Sequence, residues 1–277
     1  MNIIVILKMV PDLVEDLEID STGKSLNTEF LRTILNESDD HALEQALLLK
    51  EQKGGIIKVV ALDMGDIDDA LFTALAKGAD SAVKITGDFT QRVSSHTAAR
   101  IYQTILKEMS YDLILTGVQA IDDLDGQTGA ILASYLDLPY VGVVSGVQVN
   151  ETEAIVRKEY PGGLRAEIAV KFPVVLGIQS ASQPPRYVPV ARIRQTMKTT
   201  KIEEITAPDV QEFEYIQPEV GVTLADGGTQ TGNLPQGIQV RRMFKPEVSG
   251  RAEIITGNTD EIVNRLLGIL SEKGLVR

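Results

Sequence analysis

Residues 3–7, 56–62 and 112–117 hold short runs of β-branched and aliphatic side chains with few polar interruptions. A strand with one wet face alternates apolar and polar positions, so near-unbroken runs require cover on both faces, as in a parallel sheet clothed by crossover helices. A shorter run lies at 82–85, and segments of helical character separate the four. Alternation of this kind predicts a doubly wound α/β fold. After about residue 137 the pattern changes. Extended pieces at 141–149, 154–160, 165–170 and 174–178 follow one another, with turn signals at Asn150 and at Pro161-Gly162-Gly163. The expectation is therefore a mostly parallel sheet with an added antiparallel strand region.

Helices are predicted over 42–50, 69–77, from Ser94 and Ser95 to Lys107, and from near Gly126 to Leu136, each opened by short polar residues or closed by glycine. Residues 183–190 carry Pro184, Pro185 and Pro189, which remove donors and fix the backbone, so the segment is stiff and exposed. A basic helix over 191–198 follows. From 207 to 246 apolar periodicity fades and Gly, Pro, Thr and Gln collect, before a helix returns at 259–270. So long an irregular stretch is unusual within a monomer, and it reads as a C-terminal arm ending in a helix that lies on another chain.

Composition narrows the chemistry. The 27 Lys and Arg against 39 Asp and Glu give a net charge of -12, which disfavours a general nucleic-acid binder. With no cysteine there is no thiolate, disulfide or iron–sulfur centre, and only His41 and His96 offer imidazole. No apolar run is long enough to span a bilayer, and the first residues are strand-like, with neither a basic leader nor a cleavage signature. The expected setting is the cytoplasm or an organelle matrix.

The stretch most suited to a ligand is 112–129, where a strand breaks at Gly117, crosses a loop with Asp122, Asp123 and Asp125, and re-enters a small-residue helix. Ligands of parallel sheets settle beyond the carboxyl ends of strands, where helix-start amides receive phosphate. The plainer account of the same carboxylates is a solvated helix start favoured by the macrodipole. A calcium loop is excluded by Ile121 and Leu132 at its first and last positions. Gly23-Lys24-Ser25 is not a phosphate loop, because Glu18 stands where the first glycine belongs and no buried strand precedes it; it reads as a turn. Ser38, Asp40 and His41 are neighbours in sequence, which does not make triad geometry, and they read as helix-capping residues. His96 reads as a surface or cap residue of a first helical turn.

Several ordered segments together are similar to the β subunits of electron transfer flavoproteins over essentially the full length. They are the opening strand with Lys8, the 36–46 cap with its Leu43-Glu44-Gln45-Ala46 helix, Leu75-Ala76-Lys77-Gly78-Ala79-Asp80, and Gly117-Val118-Gln119-Ala120-Ile121-Asp122. Arg157-Lys158-Glu159-Tyr160-Pro161-Gly162-Gly163, the 185–187 segment and the 243–254 tail complete the series. The resemblance implies an electron carrier rather than an enzyme, in a heterodimer whose α subunit holds the redox-active FAD while this chain holds AMP as structure. Its nucleotide contacts fall on Ile6, Asn36, Glu37, Ser38, Asp39, Met64, Asp122, Asp123, Leu124, Asp125, Gly126, Gln127 and Thr128. Electron-bifurcating members hold a second FAD in place of AMP. Partner recognition falls on 183–198, with Pro185, Arg186, Tyr187, Val190 and Ile193 at the surface and Val190 as the side chain that anchors in a donor dehydrogenase. On this reading residues 1–206 form the nucleotide-binding domain, and 207–277 are an arm and helix packed on the partner subunit. Adenine-nucleotide enzymes and nucleotide sensors are the competing functions; an enzyme would need a phosphate-activating set, and neither a P-loop nor a persuasive nucleophile is found.

Overall fold

In the computed structural model, which describes residues 1–87, 89, 93–123, 126–207, 222–223, 229–230, 240–245 and 254–276, the chain falls into two units, Met1–Arg241 and Arg242–Arg277. The larger contains β1 (Asn2–Leu7), β2 (Met9–Pro11), β3 (Thr33–Leu35), α1 (Glu37–Lys53), β4 (Ile56–Leu62), α2 (Ile67–Lys77), β5 (Ser81–Thr86), α3 (Ser95–Leu106), β6 (Leu113–Gly117) and α4 (Thr128–Leu136). It continues through β7 (Tyr140–Val149), β8 (Glu153–Tyr160), β9 (Leu164–Lys171), β10 (Val174–Ile178), α5 (Val190–Thr199), β11 (Glu203–Thr206) and the two-residue pieces β12 (Val222–Thr223) and β13 (Thr229–Gln230). The smaller unit contains α6 (Thr259–Glu272), opened by a reciprocal capping box between Asn258 and Glu261.

Nine strands form the main sheet in the order β11-β5-β4-β1-β6-β10-β7-β8-β9. All neighbours are parallel up to β7, after which β7, β8 and β9 run as an antiparallel meander. The expected α/β class with its antiparallel addition is the observed one. The strand β1 accounts for the unbroken apolar runs. Its Ile3, Val5 and Leu7 join Leu43 and Leu47 of α1 and Leu71 of α2 in one core, while Ile4 and Ile6 join Ile101 and Leu106 of α3 and Leu132 of α4 in another. Both faces are covered, so every second residue needs no polar partner.

Five extended pieces were not predicted, among them the two-residue β12 and β13. The short pair β2 and β3 closes the excursion after β1, and β11 adds to the sheet edge beside β5. Within the excursion, Ile19 bridges Leu26 and the Asp20 carboxylate accepts from the Thr22 N–H at 3.1 Å and hydroxyl at 2.7 Å, so the Gly23-Lys24-Ser25 segment is a turn, as read. The arm expected between 207 and 246 lies largely outside the described residues.

Candidate functional site

The strand order creates a switch point. The chain leaves β1 through α1 towards β4, but leaves β6 through α4 towards β7, and these helices lie on opposite faces of the sheet. Connections that part in this way open a crevice at the carboxyl ends of the two strands. Lys8, directly after β1, spans it: Nζ donates to Asp122 Oδ1 and Asp123 Oδ1, both at 2.7 Å. Burial works against the ammonium charge, but the attraction of Asp123 and Asp122 outweighs it and the Lys8 pKa is raised.

Asp39, in the first turn of α1, ties the floor together. Its carboxylate accepts the Lys8 N–H and the Gly117 N–H, each at 2.9 Å, and so joins the tips of β1 and β6 to one helix. Burial pushes its pKa up to about 7, against hydrogen bonds from Asn36, Gly117 and Lys8 that favour the ionised form. A Cβ at position 117 would stand 2.3 Å from Asp39 Oδ1, so only glycine permits this approach. Behind it, Ser38 Oγ and Asn36 Nδ2 donate to the Gln119 carbonyl at 2.7 and 3.2 Å and hold the loop after β6.

At the far end of the crevice α4 begins at Thr128 with no side-chain cap from Gln127, and the first N–H groups of a helix have no intrahelical acceptor. The buried Thr116 hydroxyl beside it has no hydrogen-bond partner among the described residues. Gly129 leaves that hydroxyl bare, since a Cβ there would lie 2.7 Å from Thr116 Oγ1. The opposite wall is mainly apolar: Ile6, Leu62, Met64, Ala98 and the ring of Tyr102 line it. Burial, then the nearby Asp39 charge, raises the Tyr102 pKa and keeps it a neutral phenol. An apolar slot that ends at a helix start and an unpartnered hydroxyl matches a flat ring system carrying an anionic group.

Comparison with known proteins gives the family. The electron transfer flavoprotein domain model matches residues 26–210. The electron transfer flavoprotein subunit beta of Methylophilus methylotrophus is 33% identical over 276 residues, covering 98% of each chain. The chain belongs to the electron transfer flavoprotein β-subunit family. The subunit beta of Thermoanaerobacterium thermosaccharolyticum is 30% identical over both full chains, and so is CarD, a subunit of the caffeyl-CoA reductase–Etf complex of Acetobacterium woodii. Relatives are named as subunits of an electron carrier, and electron transfer is the work of the family.

In this member of the family, Ile6, Asp39, Met64, Asp123, Gly126 and Thr128 of the expected nucleotide contacts line the crevice. Asp122 is held by Lys8, Asn36 and Ser38 act through Gln119, and Glu37 and Gln127 are exposed. Leu124 and Asp125 lie outside the described residues. The wall contributed by Ser95, Ala98 and Tyr102 of α3 was not foreseen, nor was Thr116. A signal for Thr116 existed: a hydroxyl and a glycine close an otherwise apolar run.

Some residues read as capping side chains do other work. Asn36 holds the N-cap position of α1 without a side-chain cap bond, because its amide reaches Ser38 and Gln119. Ser38 faces Gln119, Asp40 pairs with Lys77, and His41 Nδ1 accepts the Ala181 N–H at 3.2 Å, so the three point to separate partners and form no nucleophile set. Among the described residues no group of three His, Cys, Asp or Glu is placed to hold a metal, and no helix is long and apolar enough to cross a membrane. On the expected partner surface, Tyr187 and Val190 are exposed, Pro185 and Ile193 are half-buried, and Arg186 turns inward.

Proposed function

We propose that this chain is the β subunit of a heterodimeric electron transfer flavoprotein, holding AMP as structure in the crevice between β1 and β6, with an α subunit that carries the FAD. The observation behind the nucleotide is the bare start of α4 beside the unpartnered Thr116 hydroxyl, at the end of an apolar slot. Thr116, Thr128 and the α4 amides would hold the phosphate, and Ile6, Met64 and Ala98 would cover the adenosine. The flavin supplies the acceptance and release of electrons; residues of this chain position, shield and tune. Electrons come from dehydrogenases that dock on 183–198, in a cytoplasmic-type compartment. The exposed apolar residues Val263, Leu266 and Leu267 of α6 support a covering partner chain.

A second reading, an electron-bifurcating subunit with another FAD in place of AMP, has the similarity to CarD behind it. Co-expression with the α subunit, purification and release of the bound nucleotides separates the two. One FAD and one AMP per heterodimer supports the first reading, and two FAD supports the second. A nucleotide-free monomer that turns over ATP would sink both.

A further inference from the structure

The segment that leads into α5 is held by side chains of α1, not by a sheet. His41 Nδ1 accepts the Ala181 N–H, Gln45 Oε1 accepts the N–H and hydroxyl of Ser182 at 3.1 Å each, and Glu44 Oε2 accepts the Arg186 N–H at 2.9 Å. Glu44 is only 2% exposed. The Arg186 guanidinium closes over it, with Nε at 3.0 Å from both carboxylate oxygens and Nη2 at 2.8 Å from Oε1, while Nη1 reaches Glu51 Oε1 at 2.6 Å. A buried carboxylate without a counter-ion is too costly to keep, so the guanidinium is committed inward. Val188 is buried two residues on, and between and beyond these two anchors Tyr187 is 83% and Val190 56% exposed. The three prolines stiffen the segment, but stiffness does not set where it stands on the protein. The contacts to His41 and Gln45, the buried Val188 and the Glu44–Arg186 pair do.

We infer that Glu44 is a positioning residue for docking: through Arg186 it fixes where Tyr187 and Val190 stand, and Arg186 itself makes no contact with the docked partner. This rests on the reading that 183–198 receives a donor dehydrogenase. It reassigns Arg186 from the partner surface to an internal strut, and it gives a role to a buried acid that neither the crevice nor the sheet uses.

A double-mutant cycle on the complete heterodimer tests it, with Glu44→Ala, Arg186→Ala and the double variant. The donor is whichever of a panel of purified, substrate-reduced flavin dehydrogenases reduces the wild-type heterodimer fastest. Each single variant should raise the KM for the donor about 10-fold and keep kcat within about twofold, because removing either partner leaves the other uncompensated and releases the segment. The double variant should be no worse than either single one, because the two residues act as a unit. Nucleotide content should not change, and amide-exchange protection at Arg186 should be lost in Glu44→Ala. Additive effects would mean that Arg186 touches the donor, which overturns the inference, as would an unchanged KM in both single variants. Val190→Asp in parallel should raise KM and leave exchange at Arg186 intact. If it leaves KM unchanged, the docking reading fails, and the exchange result still decides the strut. Should Glu44→Ala not assemble, Glu51→Ala removes only the exposed partner of Arg186; a smaller KM rise supports the strut, and no change in KM or exchange overturns it.

Discussion

One carboxylate, Asp39, binds three elements at the crevice floor, and its titration has a definite sign. An aspartate unfolds to an ordinary pKa of 3.8, and in the folded protein burial holds it near 7. Below both values the group is protonated in either state and contributes nothing. Between them the native protein retains a proton that the unfolded chain has released, so stability falls as pH rises across that window and levels off above about 7. The slope from this one group reaches at most about 1.4 kcal/mol per pH unit. Urea unfolding between pH 4.5 and 8 should show this loss, and Asp39→Asn should flatten it. The same variant should be less stable throughout, because an amide nitrogen would then face the N–H of Lys8 or Gly117. Gly117→Ala should cost about 1–3 kcal/mol by overpacking and lower the AMP recovered per heterodimer, read by urea titration and nucleotide release. Neither effect was visible in the sequence. Gly117 stood out as a break in a strand, but its need to be Cβ-free comes from Asp39, which is far away in the chain.

At the scale of elements, the strands that carry the site were legible and their edges were not. The strand β10 spans the predicted residues because both of its faces are buried, which leaves the apolar run uninterrupted. The strand β11 reads Glu-Glu-Ile-Thr and has no periodic signal; it forms because β5 offers an open edge and Lys84 pairs with Glu204 at 2.9 Å. Helix α3 was foreseen, yet its role as a wall of the crevice was not, since a Ser-rich helix start looks the same whether or not a ligand stands before it. Helix α1 serves two regions, with Asn36, Ser38 and Asp39 at the crevice and Glu44, Gln45 and Glu51 under the docking segment. On the proposed function, Val190→Asp should slow reduction by the donor about 10-fold or more, because a charge enters an apolar contact, and leave AMP and FAD content unchanged. Stopped-flow reduction and nucleotide release check both halves. Loss of cofactor would instead make Val190 a structural residue.

For the whole molecule, the division of labour between chains is the main consequence of the proposed reading. On the proposed reading, the exposed apolar residues Val263, Leu266 and Leu267 of α6 are the place where the partner chain lies. Leu266→Asp with Leu267→Asp should weaken the heterodimer by at least about 10-fold, measured by analytical ultracentrifugation, and keep the crevice geometry intact. The carrier family was legible from spread segments, whereas the crevice had to be assembled from β1, α1, α3, β6 and α4. The placement of β10 between β6 and β7 bears on how the protein comes off the ribosome. Val174 pairs with Leu113 and Ile178 with Gly117, so β6 keeps an open edge while α4 and the whole β7–β9 meander are synthesised. Closing so long a loop is entropically slow. The nascent chain therefore carries a half-built sheet with an unpaired strand edge at the crevice until β10 arrives, the kind of edge that is open to mispairing.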